Sequence, residues 1–143
     1  MKILIDGDAC PSIKLIENVA KKYNIPVEII TDTAHIINSD YSKVFIVDKG
    51  KDNTDIYLIN RVREKDIVIT QDYGLAVMVL GKKGSAISPK GLIYTNNNID
   101  ALLLSSHINR KLRDDGYKIK GPKKRTKYDD VLLIKNLEMI ITK

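Results

Sequence analysis

A single cysteine, Cys10, in 143 residues leaves no partner for an internal disulfide and excludes a Cys-rich zinc site. Only His35 and His107 could act as an imidazole base, and neither lies near Cys10 in the chain, so Cys10 reads as a small residue ahead of Pro11. Tryptophan is absent and aromatics make up 6% of the chain, which argues against an extended base-stacking surface. No apolar run approaches the ~18 residues of a membrane span, and no signal-peptide pattern opens the chain. A cytoplasmic protein with no membrane partner is expected. Internal repeats and low-complexity linkers are missing too, so residues 1–143 are expected to form one domain, large enough for a real core. Nothing in the pattern fixes an oligomeric state.

Charge, by contrast, is plentiful and unevenly placed. The formal net charge is +6, yet Arg110 to Lys127 alone carry nine Lys or Arg against Asp114 and Asp115. That segment holds +7, and the remainder of the chain is within one unit of neutral. A basic stripe beside a near-neutral body is the electrostatic footprint of a polyanion binder. Arg110, Lys111, Arg113, Lys118, Lys120, Lys123, Lys124, Arg125 and Lys127 are therefore the candidate nucleic-acid contacts, acting on phosphates and shape more than on bases. Gly116 and Gly121-Pro122 make part of the segment a loop. The plain alternative is a solvated tail that aids solubility.

The chain is organised around its opening, Met1-Lys-Ile-Leu-Ile-Asp-Gly-Asp-Ala-Cys-Pro11. Ile3, Leu4 and Ile5 are too few for a helix and too apolar for a surface, so they predict a short buried strand. Asp6 and Asp8 stand where that strand ends, and Pro11 suits the first turn of a following helix. Their plain role would be to end the strand and favour the helix N-terminus. Ile13, Ile16, Val19, Ala20 and Tyr23 then recur at helical spacing as far as Asn24. Val27 to Thr31 and Val44 to Val47 predict further strands, separated by a long connection over 32–42 of the kind that is often functional.

A helix carrying Ile56, Ile59 and Val62 follows, with Asp52 and Asp55 on one side of its first turn. Capping would account for both if they stood alone. Asp66-Ile-Val-Ile-Thr-Gln-Asp72 repeats the opening pattern of a short strand delivering a carboxylate. The next helix, Tyr73 to Leu80, is apolar on nearly every side and is expected to be covered. Ala86–Ile87 and Leu92–Tyr94, around a turn at Ser88-Pro-Lys-Gly91, are expected to supply a fifth strand. A helix from Asn96 should pack through Leu104, Ile108 and Leu112. A last helix, opened by Asp129 or Asp130, should pack through Leu133, Ile134, Leu137 and Ile141.

Strands alternating with helices predict an α/β fold, a three-layer sandwich on a mostly parallel sheet of about five strands. In the order 3-2-1-4-5, Asp6 and Asp72 would stand side by side at the carboxyl edge, and the crossover helix would bring Asp55 to the same mouth. Aspartates converging there raise one another's pKa, a conflict that a divalent cation resolves. Oxygen donors without His or Cys favour Mg²⁺ or Mn²⁺, held by some or all of Asp6, Asp8, Asp52, Asp55 and Asp72. Such an ion suits phosphodiester hydrolysis.

Four motifs, Asp6-Gly-Asp-Ala-Cys-Pro11, Lys49-Gly-Lys-Asp-Asn-Thr-Asp55, Thr70-Gln-Asp-Tyr-Gly-Leu-Ala76 and Gly121-Pro-Lys123, occur in an order that resembles the YaiI/YqxD family of small bacterial proteins. The resemblance covers almost the whole chain. That family is regarded as PIN-like, which implies a Rossmann-like sheet of order 3-2-1-4-5 and an acidic metal site of the kind ribonucleases use. By position, Asp6 and Asp72 resemble the first and a later PIN carboxylate, and Asp55 the one between. These three are the expected catalytic residues of a metal-dependent nuclease, with RNA the expected partner. Asn96, Asn98 and Asp100 are the candidates for a fourth position. Gly7 stands where alanine is common in the family, and Lys124-Arg125 where Pro-Phe is usual. Two other readings stand beside this one. One is a non-catalytic RNA-binding or assembly factor with a PIN-like shell. The other is a haloacid-dehalogenase-type phosphatase with Asp6 as nucleophile, Thr70 as its hydroxyl residue and an acidic pair at Asp114-Asp115 or Asp129-Asp130.

Overall fold

The strand that begins the chain is the centre of the sheet. The computed structural model describes every residue except Asp8, Ala9, Lys51 and Pro122. Strand β1 (Ile3–Asp6) runs between β2 (Val27–Asp32) and β4 (Ile67–Ile69), parallel to both, with Ile3 in register with Val27 and Ile67. Outside them lie β3 (Lys43–Val47), parallel to β2, and β5 (Ser85–Ile87), parallel to β4. Strand β6 (Ile93–Tyr94) closes one edge antiparallel to β5, giving the order β3-β2-β1-β4-β5-β6. This is the expected 3-2-1-4-5 order with one strand more. The two halves of the expected fifth strand are separate, paired across a turn in which Ser88 N–H donates to the Leu92 carbonyl at 2.8 Å.

Successive strand residues point to opposite faces, so a run such as Ile3-Leu4-Ile5 is apolar throughout only if both faces are covered. They are. Ile3, Ile5, Ile29, Ile67 and Ile69 pack with α1 (Ile13–Lys22) and α5 (Lys127–Ile141). Leu4, Ile30 and Val68 pack on the other side with α2 (Asn53–Arg61), α3 (Tyr73–Gly81) and α4 (Asn96–Asp114). The result is a three-layer α/β sandwich. Among the described residues no helix is long and apolar enough to cross a membrane.

The irregular stretch before β3 is held by side chains rather than by a ladder. Glu17, buried on α1, accepts hydrogen bonds from the Ser39 and Ser42 hydroxyls, and the Tyr41 hydroxyl donates to the Ile25 carbonyl. At the amino edge of the sheet, Asp66 is 3% exposed and fully partnered. It takes the Lys2 ammonium at 2.7 Å and the backbone N–H groups of Lys2 and Arg63 at 3.1 and 2.8 Å. Burial pushes its pKa up, but these donors prevail and hold it below the ordinary carboxylate value.

Three helical expectations need correction. Leu104 and Ile108 do not pack: they are 60% and 46% exposed, and Ile99 is the buried residue of α4. Their period is helical, but the side of the helix turned to the body carries Leu102, Leu103, Ser106 and Asn109, and Leu104 and Ile108 lie off it. Helix α3 is covered on one side only, with Leu75, Ala76 and Val79 buried while Val77 and Met78 are exposed. Helix α5 opens at Lys127 because Thr126 is the better cap. The Thr126 hydroxyl accepts from Asp129 N–H while the Asp129 carboxylate accepts from Thr126 N–H, so Asp129 is the third residue of a capping box. Packing through Leu133, Ile134, Leu137 and Ile141 is as expected.

The β5–β6 turn rests directly on α5. Gly91 has φ +94°, and a Cβ there would lie 2.6 Å from the Leu133 nitrogen and 2.7 Å from the Leu132 carbonyl carbon, both backbone atoms that cannot yield cheaply. Gly91→Ala should therefore cost about 2–4 kcal/mol, the left-handed backbone adding to the clash. Gly81, at the end of α3, meets nothing within 4 Å. Gly81→Ala should be neutral or stabilise by up to about 1 kcal/mol. Urea unfolding midpoints of the two variants check both.

Candidate functional site

Because β1 and β4 are neighbours, the residues that follow them meet at the carboxyl edge. Thr70, just past β4 and 1% exposed, donates its hydroxyl to Asp6 Oδ2 at 3.1 Å and accepts from Asp72 N–H at 3.0 Å. The buried Asp6 is thereby oriented by the adjacent strand. Asp72 caps α3, its Oδ1 accepting from Leu75 N–H at 3.1 Å, and the buried Tyr94 hydroxyl donates to the Thr70 carbonyl at 3.0 Å. The first turn of α2 brings in Asp55, half-buried and hydrogen-bonded side chain to side chain with Asp72. Burial, that shared bond and the charges of Asp72, Asp6 and Asp52 push its carboxyl up to about 7.

Asp52 stands at the N-cap position of α2 yet makes no capping bond, and its backbone is left-handed at φ +63°. Capping therefore does not account for it, whereas its charge acts on Asp55. Asp8, also expected as a ligand, lies outside the described residues. Among the described residues no three acidic, histidine or cysteine side chains stand close enough together to grip one ion. The acids meet through charge and through the Asp55–Asp72 contact, without forming a ready cage.

Asp6 and Asp72 border a cleft of about 570 Å³ whose far wall is α4, through Leu103, Ser106 and Arg110. One of the expected phosphate contacts thus faces the carboxylates. A smaller hollow of about 290 Å³ continues along the same helix past Asn109 and Arg113 to Lys120. On the other side, Gln71 and Tyr73 also border a cleft of about 610 Å³ that reaches Lys90, Lys123 and Arg125. Of the nine expected cations, Lys111, Lys118, Lys124 and Lys127 are exposed and line none of these three.

The segment is also less uniform than its charge count implies. Arg110, Lys111 and Arg113 belong to the last turns of α4, and Lys127 opens α5. Arg125 is a fastening: its Nε donates to Asp130 Oδ1 at 2.8 Å and its Nη1 to the Pro89 carbonyl at 2.6 Å. Lys90 donates from Nζ to the Lys123 carbonyl, tying the same loop to the β5–β6 turn.

Burial pushes the Cys10 thiol up to about 11, against the opposing effects of the Ser12 N–H and Arg125, so it is no nucleophile at neutral pH. Asn98 is committed to the α4 capping box and to the Ile93 carbonyl, and neither it, Asn96 nor Asp100 borders the carboxylate cleft. The phosphatase pattern fares no better. Asp129 caps α5, Asp130 pairs with Arg125, and Asp114 and Asp115 close α4 rather than a strand.

Three features of this edge have roles that the sequence did not assign, Thr70 having entered there only as a phosphatase hydroxyl. Thr70 and Tyr73 were in plain view within the motif that supplies Asp72, but no rule of spacing marks a hydroxyl as a bridge or a ring as a divider between clefts. The third is His35, whose Nδ1 lies 2.9 Å from Asp32 Oδ1 at the end of β2. That contact, with the Ala34 N–H, holds the Asp32 carboxyl below its ordinary value against a smaller effect of burial.

Residues 4–143 match the family described as "Uncharacterized BCR, YaiI/YqxD family". A UPF0178 protein of Clostridium kluyveri is 52% identical over 141 residues, covering 99% of this chain and 93% of that protein. A UPF0178 protein of Clostridium perfringens is 52% identical over 143 residues, covering 100% and 96%. Among solved structures, Rae1 (YacP) from Bacillus subtilis is similar over the full length of both chains, with 14% identity and a TM-score of 0.47. That last likeness is too slight to build on. The family match and the two relatives agree with the four motifs, and the chain belongs to the YaiI/YqxD family.

Proposed function

We propose that this protein is a metal-dependent nuclease that hydrolyses phosphodiesters of RNA at the edge formed by Asp6, Asp55 and Asp72. The observation that carries this reading is one cleft with Asp6 and Asp72 on one wall and Arg110 on the other, beside an Asp55 that is hydrogen-bonded to Asp72. Asp66 shows how this chain satisfies an acid that serves only structure, with a lysine and two backbone donors. Asp55 has no such set. It is hydrogen-bonded to another carboxylate, and burial, that bond and the neighbouring charges push its carboxyl up.

An all-oxygen donor set fits a hard divalent cation. Mg²⁺ is usually held by one or two carboxylates together with waters and substrate phosphate, so the absence of a three-ligand cage among the described residues does not conflict with it. Asp55 and Asp72 would hold such an ion, with Asp6 and Asp52 around them. When bound, the ion supplies an activated water and shields the leaving oxygen. The chain's own residues do the positioning. Thr70 orients Asp6, the Leu75 N–H fixes one oxygen of Asp72, and Arg110, Arg113 and Lys120 line the path of a phosphate backbone. Arg125 keeps the basic loop against the body. That no three-ligand group stands among the described residues favours a second reading, an RNA-binding or assembly factor without turnover.

The acids themselves provide the first test. The folded Asp55 holds its proton to about pH 7, whereas the unfolded carboxyl ionises near its ordinary value of 3.8. Its contribution to stability is thus fully present below about pH 4 and is lost as pH rises through about 7. In chelator, wild type should lose stability across that window, and Asp55→Asn should flatten the loss. Asp55 is partly exposed, so screening limits the gain near pH 7.5 to about 1 kcal/mol, roughly 3–5 °C in Tm.

Metal binding gives the second test. Mn²⁺ should raise the wild-type Tm with concentration, and Asp72→Asn should weaken the Mn²⁺ affinity measured by calorimetry. Equal affinities would refute the assignment. Single-stranded and hairpin RNA should be cleaved in Mn²⁺ and spared in chelator. Wild-type turnover by the triple Asp6/Asp55/Asp72→Asn variant would end the enzymatic reading, and binding in chelator with no turnover under any condition would decide for the second.

The third test concerns phosphate contacts. Replacing Arg113, Lys120 and Lys123 with Ala should flatten the log–log salt dependence of RNA binding by about 2, at ~0.7 per single-strand contact. Lys111→Ala and Lys124→Ala, outside the clefts, should change it less. Unchanged affinity of the triple variant at about 50 mM salt, where phosphate contacts dominate, would mark the basic segment as a solvated tail.

A further inference from the structure

The cleft beyond Tyr73 differs in chemistry from the one at the carboxylates. It is lined by Tyr73, Tyr94, Pro89 and Leu92 together with the cations Lys90, Lys123 and Arg125. Its volume of about 610 Å³ is ample for a nucleotide and lies within the range of small-ligand sites. Tyr73 meets Tyr94 edge to face, with ring centroids 5.8 Å apart and planes at 74°. Tyr94 is 3% exposed and anchored through its hydroxyl to the Thr70 carbonyl, so the upper ring has a rigid support. Tyr73 directly follows Asp72, is only half-buried, and borders both this cleft and the carboxylate cleft. Tyr73 and Gln71 therefore stand between a hollow suited to phosphate chemistry and one that offers an aromatic face.

We propose that this second cleft takes an unpaired nucleobase of a single-stranded polynucleotide, stacked on Tyr73, while the adjoining phosphate lies among Asp6, Asp72 and Arg110. The proposal rests on the reading above for where the phosphate lies, and not on hydrolysis. Three features select this occupant. An aromatic platform beside cations that follow a backbone is the general form of single-strand binding, because every base offers a π-face. Lys90 uses one donor on the Lys123 carbonyl and has two more protons for an anion. A base inside a duplex keeps both faces stacked and cannot present one to Tyr73. The low aromatic content noted at the outset is compatible with this, since one ring at one position suffices.

The test uses the full-length protein in chelator, so that binding is read without turnover, at about 50 mM salt. The probes are six-nucleotide ribo- and deoxyribo-oligonucleotides, the same strands with every base removed, and a blunt duplex. Wild type should bind intact single strands more tightly than the abasic strand or the duplex. Tyr73→Ala should weaken the intact strand about tenfold, the usual order for one stacked base, and leave the abasic strand unchanged. Tyr73→Phe should restore intact-strand binding. Leu92→Glu, at a position already 43% exposed and so safe for folding, should also weaken the intact strand more than the abasic one. Selective loss on ribo- or deoxyribo-strands identifies which sugar the ligand carries. If Tyr73→Ala and Leu92→Glu weaken intact and abasic strands alike, or neither, while the Arg113/Lys120/Lys123 variant still loses affinity, the base site is overturned and the phosphate path stands. If wild type binds no strand at all, the phosphate path falls and the base site with it.

Discussion

The hydroxyl of Thr70 is the joint on which this edge of the molecule depends. One short side chain donates to Asp6, accepts the N–H of Asp72, and belongs to a residue whose carbonyl anchors Tyr94. It can do so only because β1 and β4 are adjacent and parallel, which places Ile5 beside Ile69 and lets the two chains leave the sheet together. A threonine suits the position because its methyl group tolerates the apolar surroundings while its hydroxyl has both a donor and an acceptor role to fill. Loss of that hydroxyl would leave a buried carboxylate and a backbone N–H each short of a partner, a greater cost than one surface hydrogen bond.

The two edges of the sheet treat acids in opposite ways. At the amino edge, Asp66 is surrounded by donors and stabilises the junction of β1, α2 and β4. At the carboxyl edge, Asp55 and Asp72 share a hydrogen bond within reach of two further carboxylates. The first arrangement is self-contained. The second pairs acid with acid, so the fold uses one edge for stability and gathers like charge at the other. Arg110 and Lys120 come to these clefts from α4 and the loop after it.

How much of this could be seen in the sequence follows from what each signal reports. Ile3-Leu4-Ile5 and Ile67-Val68-Ile69 announced strands covered on both faces, and Asp6 and Asp72 announced the ends of those strands. The convergence of Asp55 then followed from strand order. Periodicity, however, says that a segment is helical and not what lies opposite it. Leu104 and Ile108 keep the helical period on α4 and still face solvent. Charge counting has a similar blind spot. Arg125 and Lys124 contribute equally to it, yet one is bound to Asp130 and the Pro89 carbonyl while the other is exposed. Thr126 and Asp129 are both able caps, and only backbone geometry decides which of them begins α5.

The long helix α4 has a further bearing on the clefts it walls. At 19 residues it extends about 28 Å, but its capping box and its buried Ile99 both lie in the first turn. Beyond Leu103 none of its residues is fully buried, and the helix depends more on its own backbone hydrogen bonds there than in its first turn. Opening should therefore begin at Asp114 and progress toward Asn96, with amide exchange slowing residue by residue in that direction. Leu103, Ser106 and Arg110 wall the carboxylate cleft from this less anchored part of the helix. A polyanion that engages Arg110 and Arg113 would lend order to turns it never touches, and its affinity would carry the entropy of winding them.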